Sequence, residues 1–347
     1  MSLPEGYGIM SVPKSLKEGG CAMRFDTLFR YRKQCMAAAI VLILLNHMKA
    51  FWPENPAKIA ASFFYGGVDL FFFLSGVGCF FSWRRDRDPA AFLRRRALRI
   101  LPSYLPFILV WLTLQAAKSG ITPTAVLANL LGVQGFVKLE PAFNWYVSAL
   151  WLSYLLTPWL AALAERCDTK PRAFAALAGL LLLSAAFWGD RELIILMTRL
   201  PVFLAGMLFA AESERRDALT RTETALLLAL IPVGAVLLWE FAKYWPDRLW
   251  SCGLHWYPFL LIAPGACLAI AAAASALERF RAGRALNRAA GFVGGYTFEI
   301  YLTHFLLPQL PAPIFLLCTA LCAALLALVS KRLRRWVGKR QTAGAAL

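Results

Sequence analysis

Only three histidines occur in the 347 residues, and one of them, His47, interrupts the apolar run VLILLNHMKAF at 41–51. A neutral imidazole, with an ordinary pKa of about 6.5, can take the proton from a hydroxyl while that oxygen attacks an activated acyl carbon. His304 sits in a similar setting, GGYTFEIYLTHFLL. Asp69 in FFYGGVDLFFFLSG and Arg199 in MTRLPVFLAGM are charged types set deep in apolar segments, and Glu299 precedes His304 by five residues. Each such group costs roughly 2.5–3.5 kcal/mol in a bilayer centre, so each needs a partner or a task. Asp69 and Arg199 can neutralise one another as a buried pair. Charge growing on a carbonyl oxygen needs a donor, and Arg199, Tyr146 or Ser75 could supply it. Glu299 falls about 140° around a helix from His304, so the two need not share a face. The third histidine, His255 in SCGLHWYPF, reads as a loop residue at the surface.

A second kind of chemistry is suggested by WRRDRDPAAFLRRRALRILPSYLP at 83–106, where seven arginines fall in sixteen positions. Helical spacing puts Arg95 and Arg99 on one face with Arg96 beside them, and Pro102 predicts a break or kink. Guanidinium offers a planar, bidentate grip on phosphate. A phosphate-rich ligand and lipid headgroups both fit that grip.

These residues must be positioned by membrane-spanning helices. Hydrophobic residues make up 59% of the chain, well above the half that is usual in soluble domains. They gather into about ten segments long enough to cross some 30 Å of hydrocarbon: 37–53, 61–82, 101–117, 145–164, 173–189, 193–211, 222–241, 257–276, 291–307 and 312–330. The first is not expected to be a removable signal, because more than thirty mostly polar residues precede it. The net charge of +17 invites a nucleic-acid reading, but its distribution argues otherwise. With a cytoplasmic N-terminus, the segments 1–36, 83–100, 165–172, 212–221, 277–290 and 331–347 all face inward. They carry 29 of the 37 lysines and arginines. That is the positive-inside pattern, and no nucleic-acid partner is expected. The eight cysteines include no CxxC, so neither a disulfide framework nor a metal is expected. The fold expected is all-α: a basic lead-in at 1–35, one bundle of about ten transmembrane helices at 36–330 with both termini cytoplasmic, and a basic tail at 331–347 lying on the inner leaflet. TPTAVLANLLGVQGF, within the long connection 118–144, is expected to form a re-entrant or interfacial helix.

Five stretches, in order, carry a resemblance to acyltransferase family three, the integral membrane acyltransferases. They are MAAAIVLILLNHMKAF; GGVDLFFFLSG followed by FLRRRALRILPSY; NWYVSALWLSYLLTP; RLPVFLAGMLF; and GGYTFEIYLTH. The resemblance covers about 30–330. It implies a protein of the bacterial cytoplasmic membrane that moves an acyl group, usually acetyl, from cytoplasmic acyl-CoA to a hydroxyl of a glycan or lipid-linked carbohydrate. His47 would be the catalytic residue; Asp69, Arg199 and His304, which the orientation of the segments puts at a comparable depth around one outward-opening polar cavity, are expected from the charge pattern itself to complete the reaction centre. Arg95, Arg96, Arg99 and Tyr104 would hold coenzyme A, and Trp145, Tyr146 and Glu299 would line the acceptor side. The family commonly has an arginine eleven residues before the histidine, a position occupied here by Met36. Arg32, one helical turn deeper and about 40° around, is expected to take over that donor-side role. Direct transfer with His47 as base is preferred to an acyl-histidine intermediate. The rival reading is a transporter or flippase of a glycolipid intermediate, with the intramembrane charges lining its path.

Overall fold

The computed structural model describes residues 23–48, 56–137, 145–306 and 310–344. Most of the lead-in, the outer end of the first segment and residues 138–144 and 307–309 lie outside the described residues. The helices in chain order are α1 (Phe25–Arg30), α2 (Arg32–Met48), α3 (Pro56–Ala61), α4 (Gly67–Arg84), α5 (Pro89–Ser119), α6 (Pro123–Leu131), α7 (Gln134–Val137), α8 (Trp145–Arg166) and α9 (Lys170–Ala185). They continue as α10 (Arg191–Met197), α11 (Arg199–Ser213), α12 (Arg221–Tyr244), α13 (Arg248–Ser251), α14 (Phe259–Leu277), α15 (Arg281–Val293), α16 (Thr297–Thr303) and α17 (Ala312–Gly344). Beyond helices, the described residues hold one isolated bridge, between Arg24 and Ala218.

Among the described residues, which are all-helical apart from turns and that bridge, seven stretches are long and apolar enough to cross a membrane: Lys58–Arg84, Pro89–Ser119, Trp145–Arg166, Arg191–Ser213, Arg221–Tyr244, Phe259–Leu277 and Ala312–Val337. Three of the ten expected segments are not among these seven: 37–53, whose outer end lies outside the described residues, 173–189 and 291–307. α2 has 17 residues and α9 has 16. The segment 291–307 is divided, because α15 ends at Val293 and a turn through Gly294 and Gly295 precedes the seven-residue α16. Two helices run further than expected. α5 continues through Pro102 and Pro106 without ending, and α17 carries the basic tail on as helix to Gly344. At about 1.5 Å per residue, the 31-residue α5 exceeds the hydrocarbon thickness, so its first turns stand clear of it.

Many large apolar side chains point outward, among them Leu155, Trp159, Phe174, Leu182, Leu317, Leu321 and Leu325. That is an arrangement suited to lipid rather than water. Packing between helices then depends on close approach instead of hydrophobic expulsion. α4 and α11 show how close. A Cβ on Gly76 would lie 2.0 Å from the Phe203 carbonyl oxygen, and one on Gly206 would lie 2.0 Å from that of Phe73. This reciprocal glycine contact presses the two backbones together along the helices that bear Asp69 and Arg199.

Charged loops meet at one end of the bundle, called here the basic end. Arg84 bridges Glu165 at 3.1 Å and Glu214 at 3.3 Å, and Lys170 bridges Glu223 at 2.8 Å. The Phe25 amide donates to Asp217 O at 3.2 Å, Gln34 to Asn287 O at 3.1 Å, and Arg334 to Arg99 O at 3.2 Å. All six segments that the charge pattern placed on one side are thereby joined.

Candidate active site

α2 carries both Arg32 and His47, fifteen residues apart. That spacing is about 22 Å along the axis and about 60° around it, so the helix holds both toward one side of the bundle. Its far end is tied down by Asn46, whose side-chain amide donates to Ala61 O at 2.9 Å and Ser62 O at 3.1 Å. His47, partly accessible, meets the ring of His304 with centroids 4.6 Å apart and the ring of Phe305 at 4.8 Å.

His304 is itself buried at the end of α16. Its Nδ1 faces the carbonyl oxygen of Tyr301, an acceptor only, so Nδ1 carries the proton. In the neutral ring Nε2 is then a bare acceptor, and it is buried with no hydrogen-bond partner among the described residues. Two histidines that stand far apart in sequence thus form one edge-on pair, with the proton position of the inner ring fixed by the backbone.

A row of aromatic rings leads on from this pair. Tyr301 lies 5.3 Å from His304, Tyr146 lies 4.5 Å from Tyr301, and Trp145 lies 6.2 Å from Tyr146. Trp145 also covers the guanidinium of Arg199 at 5.4 Å, and Trp256 covers it at 5.2 Å. Between those indoles Arg199 donates through NH1 to Asp69 Oδ1, with both side chains buried. The cation therefore has a carboxylate and two ring faces, an environment in which a buried charge is well compensated. Asp69 Oδ2 and Arg199 Nε remain without partners among the described residues. Trp256 and Tyr301 were not singled out from the sequence, although Tyr301 stands three residues before His304, one helical turn away. His255 is more engaged than its loop position suggested. Tyr65 donates to its carbonyl oxygen at 2.8 Å and meets its Nδ1 at 3.0 Å, and Trp250 packs on it at 4.4 Å.

Toward the basic end the same face changes from aromatic to cationic. Arg32 donates to Leu74 O at 3.1 Å, and Arg96 donates to Gly78 O at 3.2 Å while lying over the rings of Phe92 and Tyr154. Gly78 permits this, since a Cβ there would lie 2.9 Å from Arg32 NH2. Arg32 is within electrostatic range of Arg96 and Arg99, and of Cys79 and Tyr154. Arg99 is exposed, and its charge reaches up to Tyr146. No carboxylate pairs with Arg32, Arg96 or Arg99 among the described residues, and Nε of both Arg32 and Arg96 is unpartnered. Three guanidiniums near one another, with no carboxylate partner among the described residues, make a cationic cluster. Tyr154 and Tyr146, eight residues apart on α8, connect it to the histidine pair.

Other expected site residues are drawn elsewhere. Arg95 turns from Arg96 and Arg99 to Asp86, which accepts from its two terminal nitrogens, one at 2.9 Å, while Ser82 O accepts at 3.1 Å. This bidentate grip holds the Asp86 carboxyl below the usual carboxylate range. The contribution to stability is therefore present above the ordinary carboxylate pKa of about 3.9 and is lost as pH falls through the lowered value. A small, salt-sensitive drop in melting temperature is expected for Asp86→Asn at pH 7, shrinking on acidification as the Asp86 carboxyl of the wild type takes up its proton. A thermal-shift series against pH checks it. Tyr104 is buried against α6, with its hydroxyl donating to Asn129 O. Glu299 faces α5 and α17: Ser103 donates to it at 2.7 Å, and Arg334 of the basic tail lies 3.7 Å away. It belongs to the basic end and not beside His47. The helix expected within 118–144 is realised as α6 and α7. Its turn is held by Ser148, which donates to Gly132 O at 2.8 Å and accepts from Gly135 N at 3.2 Å.

Together the fold and these side chains define a multi-pass helical membrane protein with a cluster of arginines toward one end and a histidine pair toward the other. The acyltransferase domain of acyltransferase family 3 matches residues 37–329, and the chain belongs to that family. It is a membrane acyltransferase, of the kind that transfers groups other than aminoacyl. No curated protein and no solved structure matches the chain.

Proposed function

We propose that the enzyme moves an acetyl or similar small acyl group from acyl-CoA to a hydroxyl of a cell-envelope glycan or lipid-linked sugar. The observation that carries this reading is the carboxylate-free trio Arg32, Arg96 and Arg99, set on the same side of the bundle as His47. Coenzyme A presents several phosphates, and unpartnered guanidinium nitrogens in a part-buried setting suit them. Arg95 and Tyr104 are engaged with Asp86 and Asn129, so the donor site rests on the other three.

With the phosphates at the basic end, the thioester arm rises past Tyr154 and Tyr146 toward His47. The acceptor oxygen forms its bond to the thioester carbonyl carbon while its proton passes to His47. The carbon–sulfur bond then breaks, and the departing thiolate takes up the proton that His47 holds. His304 lies edge-on against His47 and orients its imidazole toward the reacting groups. Asp69 and Arg199 brace the far wall.

The contacts that gather all six basic segments at one end support ten crossings. α4, α11 and α17 each run toward that end, and a return through α2, α9 and the 291–306 stretch brings the count to ten. Basic loops on one side fit a cytoplasmic face in a bacterial inner membrane.

Arg32→Ala should raise KM for the acyl donor about tenfold to a hundredfold, the loss expected for one charge-assisted contact, with a lesser effect on kcat. Donor-titration kinetics on purified protein decide it, and an unchanged KM would remove Arg32 from the donor site. The function itself is tested by mass spectrometry of surface and periplasmic glycans with and without the gene. Loss of an ester mass is expected, and identical glycans would contradict the reading.

A further inference from the structure

α15 is not used by the reaction, yet its three arcs differ sharply. Gly283, Asn287, Ala290 and Gly294 form the arc turned to the protein, and a Cβ on Gly294 would lie 2.0 Å from Lys33 O. Asn287 fixes the seat, donating to Ala274 O at 2.8 Å and Glu278 Oε1 at 2.7 Å. On one flank Arg281, Arg284 and Arg288 are exposed within about 60° of arc. None pairs with a carboxylate among the described residues. Arg284 reaches only the carbonyl of Glu278, whose carboxylate is committed to Asn287. On the other flank Ala282, Leu286 and Ala289 are exposed, and Phe280 and Phe292 stand open at either end.

We infer that α15 lies in the membrane surface at the basic end and binds anionic phospholipid, its arginine flank on the headgroup phosphates and its Leu286 flank in the acyl chains. Charge complementarity selects the partner. Guanidiniums beside an apolar strip fit a phosphate layer above hydrocarbon, whereas a soluble anion leaves the strip in water. The attachment has a consequence for the enzyme. α15 clamps Lys33 and accepts from Gln34 at the start of α2, directly beside Arg32, so headgroup binding steadies the helix that carries both Arg32 and His47.

The test is native mass spectrometry of the full chain released from nanodiscs of phosphatidylcholine with phosphatidylglycerol. Preferential retention of phosphatidylglycerol is expected. An Arg281→Gln, Arg284→Gln, Arg288→Gln variant should lose about a hundredfold in that preference, from about fivefold per arginine, while the matching lysine variant keeps most of it. Retention of the wild-type preference by the folded glutamine variant would overturn the proposal. So would a lipid-independent dimer that covers this face. Should the glutamine variant fail to insert, salt decides with the wild-type protein: preference must weaken between about 0.05 and 0.5 M, and a flat response refutes the site. None of these readouts requires acyl transfer.

Discussion

His47→Gln is expected to lower acyl transfer by a factor of about 10² to 10⁴, the range that a positioned general base supplies. Protein level, helicity and donor binding should stay near those of the wild type. Glutamine keeps a polar group of similar reach beside His304 but has no basic nitrogen, so the loss isolates proton transfer from packing. His47 is partly accessible and is not a core residue, and α2 is anchored separately by Asn46. A transporter reading expects the variant to consume acetyl-CoA as the wild type does. Turnover assays in membranes, alongside melting curves, separate the two outcomes.

The second large effect concerns Asp69 and Arg199. Removing one member of a buried, hydrogen-bonded pair leaves the other uncompensated and costs roughly 3–5 kcal/mol. Asp69→Asn and Arg199→Met should therefore each express poorly and melt early. The double variant Asp69→Leu with Arg199→Met should recover most of the stability, because apolar replacement of a whole buried pair is often neutral. The arginine also sits between Trp145 and Trp256, so some loss of ring contact should persist. Thermal melts of the three variants test the pairing. Transfer by the stable double variant then assigns the pair to bracing the wall, whereas inactivity assigns Arg199 to the developing oxyanion.

How much of this arrangement was legible in the sequence depends on what each feature draws upon. His47, His304, Asp69 and Arg199 stand out because ionisable groups are costly in apolar segments, and the structure joins them as two touching pairs. The spacing of Glu299 and His304 already allowed different faces, but only the fold reveals Ser103 and Arg334 as the neighbours of Glu299. Arg95 and Arg96 are adjacent and chemically identical in sequence. They part because the turn before α5, where Arg87 adopts φ 50°, brings Asp86 within reach of one and not the other. Tyr104 could not be assigned without the turn that α6 makes toward it. The 291–307 segment looked continuous because its apolar average hides Gly294 and Gly295, where the chain changes direction against Lys33. Tyr154 was invisible as a site residue since a tyrosine in an apolar helix usually marks packing, and only the arginines around it give it a second meaning.

The claim on which the enzymatic account depends is that donor and acceptor meet at His47 from opposite ends of one bundle. Proteoliposomes of defined orientation, given radiolabelled acetyl-CoA on one side only, test it most directly. Labelled ester should form only when the donor faces the end bearing Arg32, Arg96 and Arg99, and it should be absent with His47→Gln. Equal labelling from either side, or labelling that survives the substitution, would contradict the account.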